Sequence, residues 1–260
     1  MKKKKTLKSA VIAVLVLVAG PLLFVSCGSS SSSKKLIKKG LYECDSQLQA
    51  AIRHIERRSF SNASRILEEL KFQCGGSHFM DTVYYYNAIS HFRQRQYDDA
   101  RFEFEILHRE FPRSVFIDEA HFRVAQIYYL RSQPPRRDQT ETREAMRLFN
   151  DYLELFPKGV FADSARTLFM SSLNKLAEKE FNTALFYRRQ KQHEAALIYY
   201  RSVLAAYPDS RFAPEAIVGM AEMLVLLGRT QDAEEVMEEL DVAVFGDALR
   251  ARIEAVKQRL

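Results

Sequence analysis

Pairs of alanines recur along this chain at a fixed spacing. Ala88 and Ala100 stand twelve residues apart, with Phe104 four residues and Pro112 twelve residues after the second. Ala184, Ala196, Tyr200 and Pro208 keep the same spacing. Ala51, Ala63 and Leu67 repeat it without the proline, as do Ala221, Ala233 and Met237. A fifth set, Ala125, Ala145, Phe149 and Pro157, has eight extra residues between its alanines. A helix rises about 1.5 Å per residue, so two alanines so spaced, with a turn between them, fit an antiparallel helix pair that closes where each helix is small. The large residue one turn after the second alanine fills the space between pairs. The proline removes a backbone donor and ends the second helix.

The frame places helices at 41–57 and 62–73, 80–95 and 98–110, 116–131 and 140–155, 163–190 and 194–206, and 214–227 and 232–242. A last helix at 247–258 would cap the array, since an end repeat needs a polar outer face. The third pair carries an insertion with Pro134 and Pro135, which has to be a loop. No long alternating run argues for strands. A repeat of about 34 residues in this form is of the tetratricopeptide class. The expected fold is therefore all-α: a right-handed α-solenoid of about five helix pairs and a C-terminal capping helix. Repeats 1–3 occupy 41–160, and repeats 4–5 with the cap occupy 161–260.

Charge looks basic until it is located. The chain has 39 Lys and Arg against 33 Asp and Glu. Nine of the lysines precede Gly40 and no acid does, so the repeats themselves are slightly acidic. That balance argues against nucleic acid as a partner. The early lysines open a targeting segment: a Lys-rich start, then an apolar run from Ala10 to Ala19 that resumes at Leu22, as in a secretory signal peptide over 1–26. Leu23-Phe24-Val25-Ser26-Cys27 resembles a bacterial lipobox, which would make Cys27 the lipidated first residue of the mature chain. An ordinary cleaved signal, or an uncleaved anchor, is the alternative. Residues 27–40, with their serine run, read as a flexible tether. Gly28 stands where an aspartate would favour inner-membrane retention, so the lipobox resemblance points to the inner leaflet of the outer membrane, facing the periplasm.

Catalytic chemistry has little support. The six histidines form no HExxH set and no carboxylate-flanked pair at i,i+4, and there is no glycine-rich phosphate loop or Gly-x-Ser-x-Gly elbow. The reading is non-enzymatic, with no cofactor and no metal. Cys44 and Cys74 remain after lipidation of Cys27. They lie symmetrically about Ser59, where the first hairpin turns, and so sit level at its open end. A disulfide there needs a Cα separation of about 4.4–6.8 Å; two free, partly buried thiols are the alternative. The concave side of such an array is lined by the first helices of successive pairs. Tyr85, Ile89, Phe92 and Arg93, then Phe122, Gln126 and Tyr129, would face it as a groove for an extended peptide, unless these aromatics pack between repeats.

Leu176-Ala177-Glu178-Lys179-Glu180, then Ala184, Phe186-Tyr187, Ala195-Ala196 and Tyr207-Pro208-Asp209-Ser210, closely resemble the fourth repeat of the BamD family. That family is the lipoprotein subunit of the outer-membrane β-barrel assembly machine. The insertion ending in Arg137-Asp138 matches a family loop, and the likeness covers nearly the whole chain. It departs at Lys191, where the family commonly has glycine, and at Ile198-Tyr199, where it has Asn-Arg; that arginine's contact with the barrel subunit is not carried over. The resemblance implies that the N-terminal half receives unfolded outer-membrane protein clients. It also implies that the C-terminal half holds the periplasmic repeats of the barrel subunit, with Arg188 and Arg189 as candidate contacts. A different periplasmic repeat adaptor, of an envelope-constriction, cell-wall or gliding complex, is the rival reading.

Overall fold

The computed structural model describes residues 30–238 and 246–260; Cys27 and the expected signal peptide lie outside the described residues. The chain divides after Gly40 into two units, and the repeats belong to the second, Leu41–Leu260. The described residues form eleven helices: α1 (Ser30–Glu56), α2 (Phe60–Gln73), α3 (Met80–Arg93), α4 (Tyr97–Glu110), α5 (Ile117–Arg131), α6 (Thr140–Leu155), α7 (Ala162–Arg189), α8 (His193–Ala206), α9 (Ala213–Leu226), α10 (Thr230–Glu238) and α11 (Asp247–Lys257). One boundary is a correction. The first helix begins at Ser30 rather than at residue 41, so the described part of the expected tether is helical. Serine costs a helix at most about 0.7 kcal/mol relative to alanine, and no proline interrupts this stretch.

The alanine frame is the core. All ten framed alanines, from Ala51 to Ala233, have no exposed surface. Leu67, Phe104, Phe149 and Tyr200, the large residues one turn after the second alanine, are equally buried, and Met237 is nearly so. Each joins a cluster formed between neighbouring pairs: Phe104 with Ala88, Ala120 and Ile127, Tyr200 with Ala216, Met220 and Met223. Tyr200 fits because residue 219 is glycine; a Cβ there would stand 2.5 Å from the tyrosine Cζ.

The turns inside the pairs share one backbone device. Arg58, Arg95, Lys191 and Gly228 have φ of 58°, 63°, 57° and 75°. The next residue's N–H donates back to the carbonyl five residues earlier: Ser59 to His54, Gln96 to His91, Gln192 to Tyr187 and Arg229 to Leu224, at 2.8–3.0 Å. This is a Schellman ending with a left-handed residue, filled by glycine only in the last repeat. The third pair lacks it because its insertion makes the turn.

The turns between pairs carry a second repeat. Phe79, Phe116, Phe161 and Phe212 stand immediately before α3, α5, α7 and α9. Three of them pack on an aromatic ring of the preceding pair: Phe116 on Tyr85 at 4.0 Å, Phe161 on Phe122 at 4.7 Å and Phe212 on Phe181 at 5.4 Å between centroids. Polar bonds hold the same turns. Ser114 Oγ donates to Asp81 at 2.8 Å, Val160 N–H to Asp118 at 3.3 Å, and Arg211 N–H to Asn174 at 2.8 Å. At the N-terminal end, Cys44 and Cys74 are joined by a disulfide with a Cα separation of 6.2 Å.

Two substitutions should move stability in opposite directions. Ala100→Leu or Ala196→Leu forces a large side chain into a full junction and should cost ~1–3 kcal/mol, a fall of several degrees in Tm for a chain of this size. Lys191→Gly relieves a left-handed lysine whose conformation costs about 1–2 kcal/mol, partly offset by the freer unfolded chain; Tm should rise by a few degrees. Thermal melts followed by helix content check both.

Candidate functional site

The seven groove residues expected from sequence do not form an open groove. Ile89 and Phe122 are core residues, 9% and 3% exposed. Tyr85 is stacked under Phe116, and its hydroxyl donates to Glu119 at 2.7 Å. Burial, then that bond to Glu119, pushes the Tyr85 hydroxyl far above its ordinary value. Phe92 lies beneath the guanidinium of Arg123, 5.2 Å from the ring centre. The same guanidinium faces Phe122 and Phe161, donates twice to Glu119 (2.9 and 2.7 Å) and once to Gln126 (2.8 Å). Tyr129 shares a hydrogen bond with Ser171 at 2.9 Å and lies under Lys175 Nζ at 5.2 Å. Of the seven, Arg93 alone is exposed. The physical reason is the phenylalanine before each first helix, which uses Tyr85 and Phe122 as its seat. Its regular return as Phe79, Phe116, Phe161 and Phe212 was the available sequence signal, while nothing local marked Arg123 as the lid.

Arg188 and Arg189 also separate. Adjacent helical residues point about 100° apart. Arg188 donates to Glu222 at 2.9 Å, and Arg252 donates to the other oxygen of that carboxylate at 2.8 Å. Arg188 thereby ties α7 to α9 and α11. Arg189 is exposed and lines a different cleft.

That cleft, of about 560 Å³, lies between α7 and the insertion of the third pair. Pro135 and Arg136 face Lys179, Asn182, Thr183, Phe186 and Arg189 across it. On the other side of Pro135 a second cleft of about 460 Å³ continues along α7 past Thr167, Ser171, Asn174, Lys175 and Glu178 to Arg211. These α7 positions fall three and four residues apart, on the side away from Leu173, Leu176, Ala177, Phe181 and Ala184, with buried Ala165 and Ser172 at their edge. One helix thus presents a continuous stripe, crossed by the insertion at Pro135.

The insertion is built to hold its shape. Gln139 has no exposed surface. Its side-chain amide has two N–H donors and four loop carbonyls in reach, the nearest being Pro134 O at 2.7 Å and Asp138 O at 3.1 Å. Thr142 Oγ1 fixes the amide by donating to its oxygen at 2.7 Å. Asp138 accepts from the N–H of Thr140 at 2.9 Å, which starts α6 and draws the Asp138 carboxyl below its ordinary value. From α7, Lys179 Nζ donates to Arg137 O at 3.2 Å and Lys175 Nζ to Ser132 Oγ at 2.6 Å.

Two of the histidines pack against each other. His108 and His121 stack between α4 and α5 at 3.9 Å. Burial, then His121, pushes His108 down to about 4, and burial also lowers His121. Glu68, His91 and Glu103 bring three ligand-type atoms within 4.8 Å of one another. A cation already sits there: Lys71 Nζ bonds Glu103 at 2.5 Å and Glu68 at 2.9 Å.

A stack of paired helices with this alanine frame is a tetratricopeptide-like helical-repeat protein. The chain belongs to the YfiO family of outer membrane lipoproteins, whose model matches residues 44–240. It is similar to proteins named outer membrane protein assembly factor BamD: that of Xylella fastidiosa (strain 9a5c), 24% identical over 59% of this chain and 56% of that protein, and that of Rickettsia prowazekii (strain Madrid E), 23% identical over 70% and 72%. The resemblance to the BamD family read from the repeats is thus borne out. The chain spans just over half the length of the Xylella relative it matches. Among solved structures, a tetratricopeptide protein of Thermus thermophilus is 15% identical over 83% of this chain and 99% of that one, with a TM-score of 0.36.

Gln139→Ala should release the insertion while leaving the repeats folded. Trypsin would then cut at Arg136 and Arg137 at least several-fold faster than in the parent, with helix content unchanged. Limited proteolysis with mass mapping of the fragments checks this.

Proposed function

We propose that this chain is a lipid-anchored scaffold subunit of outer-membrane β-barrel protein assembly. Cys27 carries the lipid and holds the chain on the inner leaflet of the outer membrane, facing the periplasm. The protein is not an enzyme. It binds two kinds of polypeptide: repeats 1–3 receive unfolded client chains, and repeats 4–5 hold the barrel subunit through its periplasmic repeats. Arg189 is the contact residue on that second side, because Arg188 is committed to Glu222.

The observation that carries this reading is the family match over residues 44–240, with curated relatives named for outer membrane protein assembly. The fold supports it. Its chemistry-bearing side chains are spent on junctions between repeats, and its open surface is a shaped cleft rather than a closed reaction site.

Depletion of the chain should lower the amount of folded barrel proteins in the outer membrane. A tagged copy should co-purify with a barrel protein bearing periplasmic repeats, and Arg189→Glu should reduce that capture several-fold at unchanged helix content. Cys27→Ser should abolish metabolic labelling with a fatty acid. Normal barrel levels after depletion would sink the assembly reading, and full labelling of the Cys27 variant would sink the anchor.

A further inference from the structure

The stripe along α7 is electrostatically unlike the rest of the repeats. Its two clefts hold five cations, Arg136, Lys175, Lys179, Arg189 and Arg211, against one carboxylate, Glu178. Glu178 faces Arg211 at 3.5 Å. The other four have no carboxylate within 4.0 Å among the described residues; Lys175 and Lys179 bond only neutral oxygens. Elsewhere arginines are commonly paired, as at Arg65, Arg101, Arg123 and Arg147, and the repeats as a whole carry more acid than base. A local excess of one sign within a body of the other focuses an oppositely charged partner.

Shape narrows the partner further. Thr167 to Arg189 spans about 33 Å of helix, the reach of about ten residues of extended chain. Pro135 and Phe186, the latter 55% exposed, supply an apolar patch midway to the C-terminal end. Asn182 offers an amide side chain able to bond a passing backbone, whereas Asn174 already accepts from Arg211 N–H and Thr183 donates to Lys179 O. The insertion over the stripe is already fixed by Gln139, so little ordering is left to offset binding.

We propose that the α7 stripe is the binding site of an extended acidic polypeptide segment of about ten residues, which runs along the two clefts past Pro135 and sets an aromatic side chain against Phe186. The carboxylates of the segment meet Arg136, Lys179 and Arg189. Which assembly partner supplies the segment rests on the scaffold reading; the binding chemistry does not.

The test uses the full-length chain in detergent and a fluorescent ten-residue peptide of Asp, Glu, Gly and Ser with one central Phe. Binding is read by anisotropy. The peptide should bind, and its affinity should fall steeply with salt. The Arg136→Glu, Arg189→Glu double variant should lose at least tenfold, whereas Arg136→Lys with Arg189→Lys should retain most of the affinity at the same helix content. Replacing the peptide's Phe by Ala should weaken it severalfold. Equal binding of a peptide with Lys in place of every acid, or undiminished binding by the Glu variant, overturns the proposal. So does binding of phosphatidylglycerol vesicles through these arginines with no binding of the peptide, which would make the stripe a lipid-headgroup site. Failure here with normal barrel-subunit capture leaves the scaffold reading standing. Failure of the depletion experiment with intact peptide binding removes that reading alone.

Discussion

The close approach of paired helices at ten buried alanines is the constraint on which the structure depends. Each of these junctions holds only a methyl group, and none of the ten retains exposed surface. Close helices leave little room inside a pair, so the bulky apolar side chains are displaced outward to the seam between pairs. There Phe104, Phe149 and Tyr200 each reach the next first helix. The same choice that tightens each pair therefore makes each pair need its neighbour. That mutual dependence is what distinguishes a stacked array from a set of independent hairpins.

This constraint was legible because it is strictly periodic. Spacing of twelve residues, a large residue one turn on, and a proline after that are visible without any coordinates, and they place most helix ends to within a few residues. The features that were not legible are those set by contacts between repeats. Tyr85 and Phe122 have the right phase for the concave side, and both are on first helices. Their rings are nonetheless taken by Phe116 and Phe161, which lie 31 and 39 residues further on. Arg123 then covers Phe92 by stacking rather than by any pattern in its own segment. Helical phase says which way a side chain leaves the backbone; it does not say whether another repeat arrives to cover it.

The pair Arg188–Arg189 fails for a more local reason. Consecutive residues cannot share a helix face, and the fate of each depends on what stands opposite. Arg188 meets Glu222, whose second oxygen is held by Arg252. A carboxylate serving two guanidiniums from two different helices ties the last first helix and the cap to α7. Arg189 has no ion-pair partner among the described residues and stays exposed. Gln139 was invisible for the complementary reason: a lone glutamine beside a loop has no sequence signature, yet its buried amide decides the loop's shape.

The open surface of this protein follows from the length of α7. The other helices of the repeats numbered α2 to α9 have 14 to 16 residues and are matched along their whole length by a partner. α7 has 28 residues. Its core face serves Phe122, Phe149 and Tyr152 of the third pair at the N-terminal end, with Ala165, and Ala196, Tyr200 and Val203 of the fourth pair at the C-terminal end, with Ala177, Phe181 and Ala184. Two sets of partners on one face leave the opposite face of the long helix only partly covered. The extra residues of the third pair cross that face at Pro135 without filling it. A double-length helix and an insertion in the pair before it are thus two halves of one device: the first exposes a straight polar track, and the second puts a rigid roof across it.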